Sequence, residues 1–308
     1  MGMSSEQNAA CSQCRASYRP LHTAAELGHL SCMQALLMDV DADVNESDQS
    51  GCTPLVVACS LGHADCAEFL LKSFADANHF DARGVPVLFT ACLSGSSACV
   101  TTLLRWGADA NSKTALRASA GCNGGRSPLW AACTSGNLES VRQLCAYGAL
   151  RVWQRREEQT LNAEMVAARA GHDHVVQWLK ITRAFTTPLH YADVVTPARA
   201  RALLRGGANL HARCIDMTRT PIEIATELVC SGRAAAGSAA ELILQASRPW
   251  SPATHGLFPA SARRFAVELV VLGAALARSE RFTGSALEDV WVEHVMPHAV
   301  LRPYVRWH

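Results

Sequence analysis

The stretch "TPLVVACSLGHADCAEFLL", residues 53–71, contains two short apolar helical patterns around a glycine. Thr53 and Pro54 form a helix start: a hydroxyl cap, then a residue without the N–H that would be orphaned there. Gly62 is the stop, tolerating a backbone conformation costly for other residues. The pattern returns as "TAAELGHLSCMQALL" (23–37), "FTACLSGSSACVTTLL" (89–104), "WAACTSGNLESVRQLC" (130–145) and "MVAARAGHDHVVQWLK" (165–180). The marker glycines Gly28, Gly62, Gly95, Gly136 and Gly171 are 34, 33, 41 and 35 residues apart. Each unit buries an apolar face only against its neighbours, so the stack itself is the fold.

The openings "RPLH" (19–22), "TPLV" (53–56), "PVLF" (86–89) and "SPLW" (127–130), and the closings "DADVN" (41–45), "ADAN" (75–78) and "GADAN" (107–111), complete the pattern. A period near 33 with T-P-L-H-x-A and G-A-D-x-N resembles the ankyrin-repeat family over 18–180. The resemblance implies an all-α ankyrin solenoid, with partner proteins bound on a concave face of first helices and hairpin tips. Weaker units follow at "TTPLHYADVVTPARARALLRGGANLH" (186–211) and "RTPIEIATELV" (219–229), giving about seven. In the fifth, Asn162, Ala163 and Glu164 replace the usual opening. Gly and Asn of the closing motif are assigned to positive-φ turn positions.

Three domains are expected: a flexible tail at 1–17, repeats at 18–247, and a helical segment at 248–308. In the last, "SARRFAVELVVLGAALARS" reads as a helix with Phe265, Leu269 and Leu272 on one side, and "ALEDVWVEHVM" as a second helix carrying Leu287, Val290 and Trp291. A capping role is the simplest. The tail also resembles the F-box-like or suppressor-of-cytokine-signalling-box-like ends of some ankyrin proteins, although it lacks the L-P of the first and the L-C-R and L-P-x-P of the second. That resemblance implies a substrate receptor of a cullin-type ubiquitin ligase, with those six residues contacting the adaptor.

Recurrence gives most histidines and cysteines a packing role. His29, His63 and His172 follow marker glycines, and His22 and His190 close T-P-L-H. In the family such histidines resemble those that hydrogen-bond between units. Cys59, Cys92 and Cys133 share one repeat position, and Cys32, Cys66 and Cys99 another, as small buried apolar residues. Cys11 and Cys14 form a single C-x-x-C with no second pair seen, leaving a zinc- or redox-responsive role as a third reading. No metal or cofactor site is assigned.

Partner contacts are expected between the small-residue pair and the glycine: Glu26 and Leu27, Ser60 and Leu61, Leu93 and Ser94, Thr134 and Ser135, and Arg169. Hairpin tips add Gln49, Phe80, Arg83 and Trp153. The segment 112–124 is a long loop of the kind that carries specificity. Arg151, Arg155 and Arg156 surround Trp153, but Glu157 and Glu158 follow, so a solvated surface is the reading there.

Of 308 residues, 49% are hydrophobic and 18% charged, with a net charge of +1, which argues against nucleic-acid or membrane-surface partners. The longest apolar run, 265–277, is too short to span a bilayer, and no signal sequence is read at the N-terminus. Nucleophile-elbow, P-loop, kinase and zinc-protease motifs are absent, so no enzyme is expected. The expectation is a monomer that binds proteins in the cytoplasm, with the nucleus as the alternative, a reducing compartment matching the free cysteines.

Overall fold

In the computed structural model, residues 11–38, 42–115, 125–154, 160–216, 218–277, 292 and 295–300 are described. The chain divides into two compact units, 1–183 and 184–308.

The first unit holds five helix pairs: α2 (Pro20–Leu27) with α3 (Leu30–Leu37), α4 (Pro54–Leu61) with α5 (Ala64–Lys72), α6 (Val87–Leu93) with α7 (Ser97–Arg105), α8 (Pro128–Ser135) with α9 (Leu138–Ala146), and α10 (Ala163–Arg169) with α11 (Asp173–Ile181). First helices pack on first helices and second on second, pair by pair along the stack. Ala24, Ala25, Ala58, Cys59, Ala91, Cys92, Ala131, Ala132 and Cys133 are all fully buried, which lets the helices approach closely. The marker glycines take φ of 68°, 81°, 76°, 72° and 80° in order. At Gly28 a side chain is excluded twice, because a Cβ there would also lie 2.8 Å from the His63 ring.

Two expectations for this unit change. A short helix, α1 (Ser12–Ala16), lies where a flexible tail was expected, with Cys14 buried and the helix packed on α2. The fifth unit opens with a two-stranded antiparallel hairpin, β1 (Val152–Gln154) with β2 (Thr160–Asn162), and Asn162 then caps α10 by accepting the Met165 N–H at 2.8 Å.

The closing asparagines are not positive-φ turn residues. Phe74 is the single non-glycine with positive φ among the described residues. Each asparagine instead reaches the next unit. Asn45 Oδ1 accepts the Asp76 N–H at 3.0 Å, Asn78 the Asp109 N–H at 2.9 Å, and Asn111 the Leu150 N–H at 2.8 Å. Their amide groups donate to the carbonyls of Phe74, Gly107 and Gly148. The Asp two residues earlier fixes each turn: Asp43, Asp76 and Asp109 accept the N–H of Asn45, Asn78 and Asn111 at 2.9 Å.

In the second unit, the first helix of "TPLH" at 187–190 shrinks to a 3-10 turn (Pro188–Tyr191) before α12 (Pro197–Arg205). His190 is buried, and its Nδ1 is 3.2 Å from the Thr187 N–H that donates to it. It therefore caps its own turn, a role beyond the expected inter-unit one, while the backbones of Ala212 and Arg219 in the next unit also interact with it. Helices α13 (Pro221–Cys230), α14 (Ala239–Ser247), α15 (Ala260–Ala277) and α16 (Met296–Ala299) follow, with a 3-10 turn at His255–Leu257. Packing divides the chain at 183/184, and within 248–308 Trp250 and Phe258 are core residues, packed with Ala262, Ala266, Met296 and Val300. Arg205 Nε also donates to the Gly256 carbonyl at 2.9 Å. In helix α15, Ala262 and Ala266 are buried and Leu269 packs against that core, while Phe265 and Leu272 are exposed. Phe265, Leu269 and Leu272, spaced i, i+4 and i+7, lie along one side, and of the three Leu269 alone packs inward. Leu287, Val290 and Trp291 lie outside the described residues. No helix among the described residues is long and apolar enough to cross a membrane.

Two substitutions probe this fold. Phe74 holds a left-handed conformation at 89% exposure, where glycine stands in "WGADAN". Phe74→Gly relieves backbone strain, with an expected gain of about 1 kcal/mol, read as a rise in thermal midpoint. Asn78→Ala removes an acceptor and a donor across one repeat interface, with an expected loss of about 1–2 kcal/mol in urea unfolding. Asn78→Asp keeps the acceptor and should fall between.

Candidate interaction surface and N-terminal thiol cluster

The expected partner surface begins at the ends of the first helices. Leu27 and Leu61 directly precede their marker glycines and Leu93 stands one residue further back, at the ends of α2, α4 and α6, and they are 36%, 53% and 54% exposed. Glu26, Ser60 and Arg169 are exposed as well. Their backbones are held in place: the Glu26 carbonyl accepts from His63 Nε2 at 3.0 Å, and the Thr134 carbonyl from His172 Nε2 at 3.0 Å. His63 and His172 thus bond to the preceding unit, as expected, and His22 Nε2 donates forward to the Cys52 carbonyl at 2.9 Å.

The hydroxyls divide by role. Ser94 Oγ donates to the Cys59 carbonyl and Ser135 Oγ to the Cys92 carbonyl, each at 3.0 Å, so both bridge repeats. Ser60 Oγ and Thr134 Oγ1 donate within their own helices, to Val57 at 2.8 Å and Trp130 at 2.9 Å. These four shape the surface and have their hydrogen bonds already made.

At the hairpin tips, Gln49, Phe80 and Arg83 are exposed. Asp81 anchors Arg83 with a 2.9 Å ion pair and accepts the Val85 N–H at 2.8 Å. Neighbouring tips are tied edge to edge by Ala82 N–H to Ser50 O at 3.0 Å and Ala115 N–H to Gly84 O at 2.7 Å. Trp153 lies on β1 opposite Leu161. Arg151 donates to the Thr182 carbonyl and hydroxyl, both at 3.0 Å, and sits 5.6 Å from the Trp178 ring, so it serves the stack rather than a basic patch. Arg155, Arg156 and residues 116–124 of the long loop lie outside the described residues. A stack that sequence reading did not single out runs across the first helices: Phe89 and Trp130 are parallel with centroids 6.4 Å apart, and Arg126 lies 4.1 Å over the Trp130 ring.

A second feature stands at the start of the stack. The ligating atoms of Cys11, Cys14, His29 and Cys32 all lie within 4.8 Å of one another. Cys11 and Cys14 Sγ approach His29 Nδ1 at 3.7 and 3.6 Å, and the Cys11 N–H donates to Cys32 Sγ at 3.3 Å. Hydrogen bonds from the Cys14 backbone and thiol hold the Cys11 thiol below its usual range, whereas burial pushes Cys14 up. Sequence reading left Cys11 and Cys14 without a second pair. That pair is His29-x-x-Cys32, masked because both residues also fit the repeat.

The family model for ankyrin repeats (3 copies) matches residues 21–114 and 114–185, more than half of the chain. The chain belongs to the ankyrin-repeat family, a class of non-enzymatic protein-interaction scaffolds. Among curated proteins it is similar to protein phosphatase 1 regulatory subunit 27 of Homo sapiens and of Mus musculus, each 43% identical over 52 residues, 17% of this chain. The match spans 33% of the length of those relatives. Among solved structures it is similar to the human ASB11 ankyrin repeat domain, at 27% identity and a TM-score of 0.46, covering 75% of this chain and 99% of that one.

Proposed function

We propose that this protein binds a partner protein along the first-helix ends and hairpin tips of the unit 1–183, and that it does so in the cytoplasm. The observation that carries the reading is the row Leu27, Leu61 and Leu93. Three apolar side chains at or next to one repeat position remain exposed on helices whose other faces are close-packed. Exposed apolar residues aligned by a repeat form a continuous contact strip, with Glu26, Ser60, Phe80 and Arg83 as its polar and aromatic flanks. The inter-repeat hydrogen bonds hold that strip in place before binding, so little ordering entropy is lost. Similarity to a phosphatase regulatory subunit supports a protein as the partner class. The free cysteines among the described residues suit a reducing compartment.

A second reading rests on α15. Val267 and Val271 are exposed on the side of the helix opposite its packed alanines, and Phe265 and Leu272 are exposed at the edge of the packed side. A helix apolar on two sides suits docking to a further protein, such as the adaptor of a cullin-type ubiquitin ligase.

The test is quantitative capture of lysate proteins by the full chain. Leu61→Asp with Leu93→Asp should lose the partners bound by the wild type by at least about tenfold, with unchanged helicity, because charges on a desolvated strip oppose binding. Lys72→Glu, on the second-helix side, should retain them. Equal capture by all three proteins contradicts the strip. Val267→Glu with Val271→Glu should remove ligase adaptors alone if the second reading holds.

A further inference from the structure

We propose that Cys11, Cys14, His29 and Cys32 form a structural zinc site that closes the first end of the repeat stack. This inference is independent of the partner strip.

The repeat supplies the control. After the marker glycines stand His29, His63, Ser96, Asn137 and His172. His63 and His172 donate to carbonyls of the preceding unit, and the Asn137 side chain donates to the Gly95 carbonyl. Ahead of the pair α2–α3 the structure places α1, and not a repeat, against α2. His29 Nδ1 faces the α1 cysteines instead. Cys32 departs from its series in the same way. Cys66 and Cys99 are buried among the repeats, whereas Cys32 Sγ meets Cys11 and shares the cluster with Cys14 and His29.

A hydrogen bond to the imidazole accounts for only one of the two sulfurs beside it. One imidazole Nδ1 has one lone pair and accepts one S–H, yet two sulfurs approach it at 3.7 and 3.6 Å. A shared tetrahedral ion accounts for both. Metal–sulfur bonds of about 2.3 Å and a metal–nitrogen bond of about 2.0 Å give sulfur–nitrogen edges of about 3.5 Å. Three thiolates and one imidazole form the closed Cys3His set of structural zinc, with no position left for substrate. The Cys11 N–H on Cys32 Sγ is the kind of backbone hydrogen bond that stabilises a ligating thiolate. The order also fits: C-x2-C, fourteen residues, then H-x2-C, two ligand pairs joined by one helix. This is the one such group among the described residues.

The site explains why α1 is ordered. A helix of five residues is far too short to persist alone. Zinc would clamp it over α2 and α3, in the place that a preceding repeat occupies for every later unit.

The test uses the full chain, purified under reductant without chelator, for zinc content by elemental analysis. Zinc-stripped protein is then titrated with cobalt. The expected result is one zinc per chain, and a cobalt complex with tetrahedral visible bands and thiolate charge transfer. Cys11→Ser with Cys14→Ser alters only residues ahead of the repeats, so the stack still folds; it should weaken metal binding by about 100-fold or more. His29→Asn, which places here the residue found at 137, should weaken binding and shift the cobalt spectrum. Cys66→Ser, at the repeat position of Cys32, should leave both unchanged. Reduced, folded wild type without stoichiometric zinc and without a tetrahedral cobalt spectrum overturns the proposal. So does metal retained in full by the double variant.

Discussion

The interface between adjacent repeats is the constraint on which the first unit depends. No helix pair here has a second face of its own to bury against, so each is stable only through its neighbours. Small residues bring the first helices close, and polar side chains then set the register. On one side, His63, Ser94, Ser135, Asn137 and His172 reach back to carbonyls of the unit before. On the other, Asn45, Asn78 and Asn111 each join the next hairpin through an acceptor and a donor. Apolar contact alone tolerates sliding of one helix along another; paired hydrogen bonds to backbone groups do not. The leucine strip inherits its alignment from this stitching.

The same logic explains the two ends of the series. A residue that bonds backward meets α1 and its cysteines in the first unit, and not a repeat. A residue that bonds forward lacks its usual form after the fourth unit, where no asparagine closes "GALRV". Arg151 does that work instead, hydrogen-bonded to Thr182 and set near the face of Trp178. A short β-hairpin carries the chain into the fifth unit, replacing the absent T-P-L opening.

Most of the architecture was legible because periodicity is a redundant signal. Five marker glycines in one alignment locate ten helices, and all five adopt the expected left-handed conformation. What alignment hides is a residue whose role differs from that of its equivalents. His29 and Cys32 fit the repeat so well that their second role was invisible until α1 was placed beside them. The asparagines were assigned to their own turns because sequence shows local neighbours and not the residue 31 positions ahead. Which of Phe265, Leu269 and Leu272 would be covered was not legible, because a helix apolar on both sides has no unique inward stripe. The sixth unit read as weak in sequence, but the form of that weakness, a 3-10 turn in place of a helix, needed coordinates.

The most direct test of the stitching is site-resolved hydrogen exchange of the Asp76, Asp109 and Leu150 amides. All three lie at hairpin turns and donate to asparagines of the preceding unit. If those bonds hold the stack in register, the three amides exchange only when the repeats separate, with protection approaching that of the buried helices. If they exchange as fast as open loop amides, the asparagines do not lock the interface, and apolar packing alone must carry the fold.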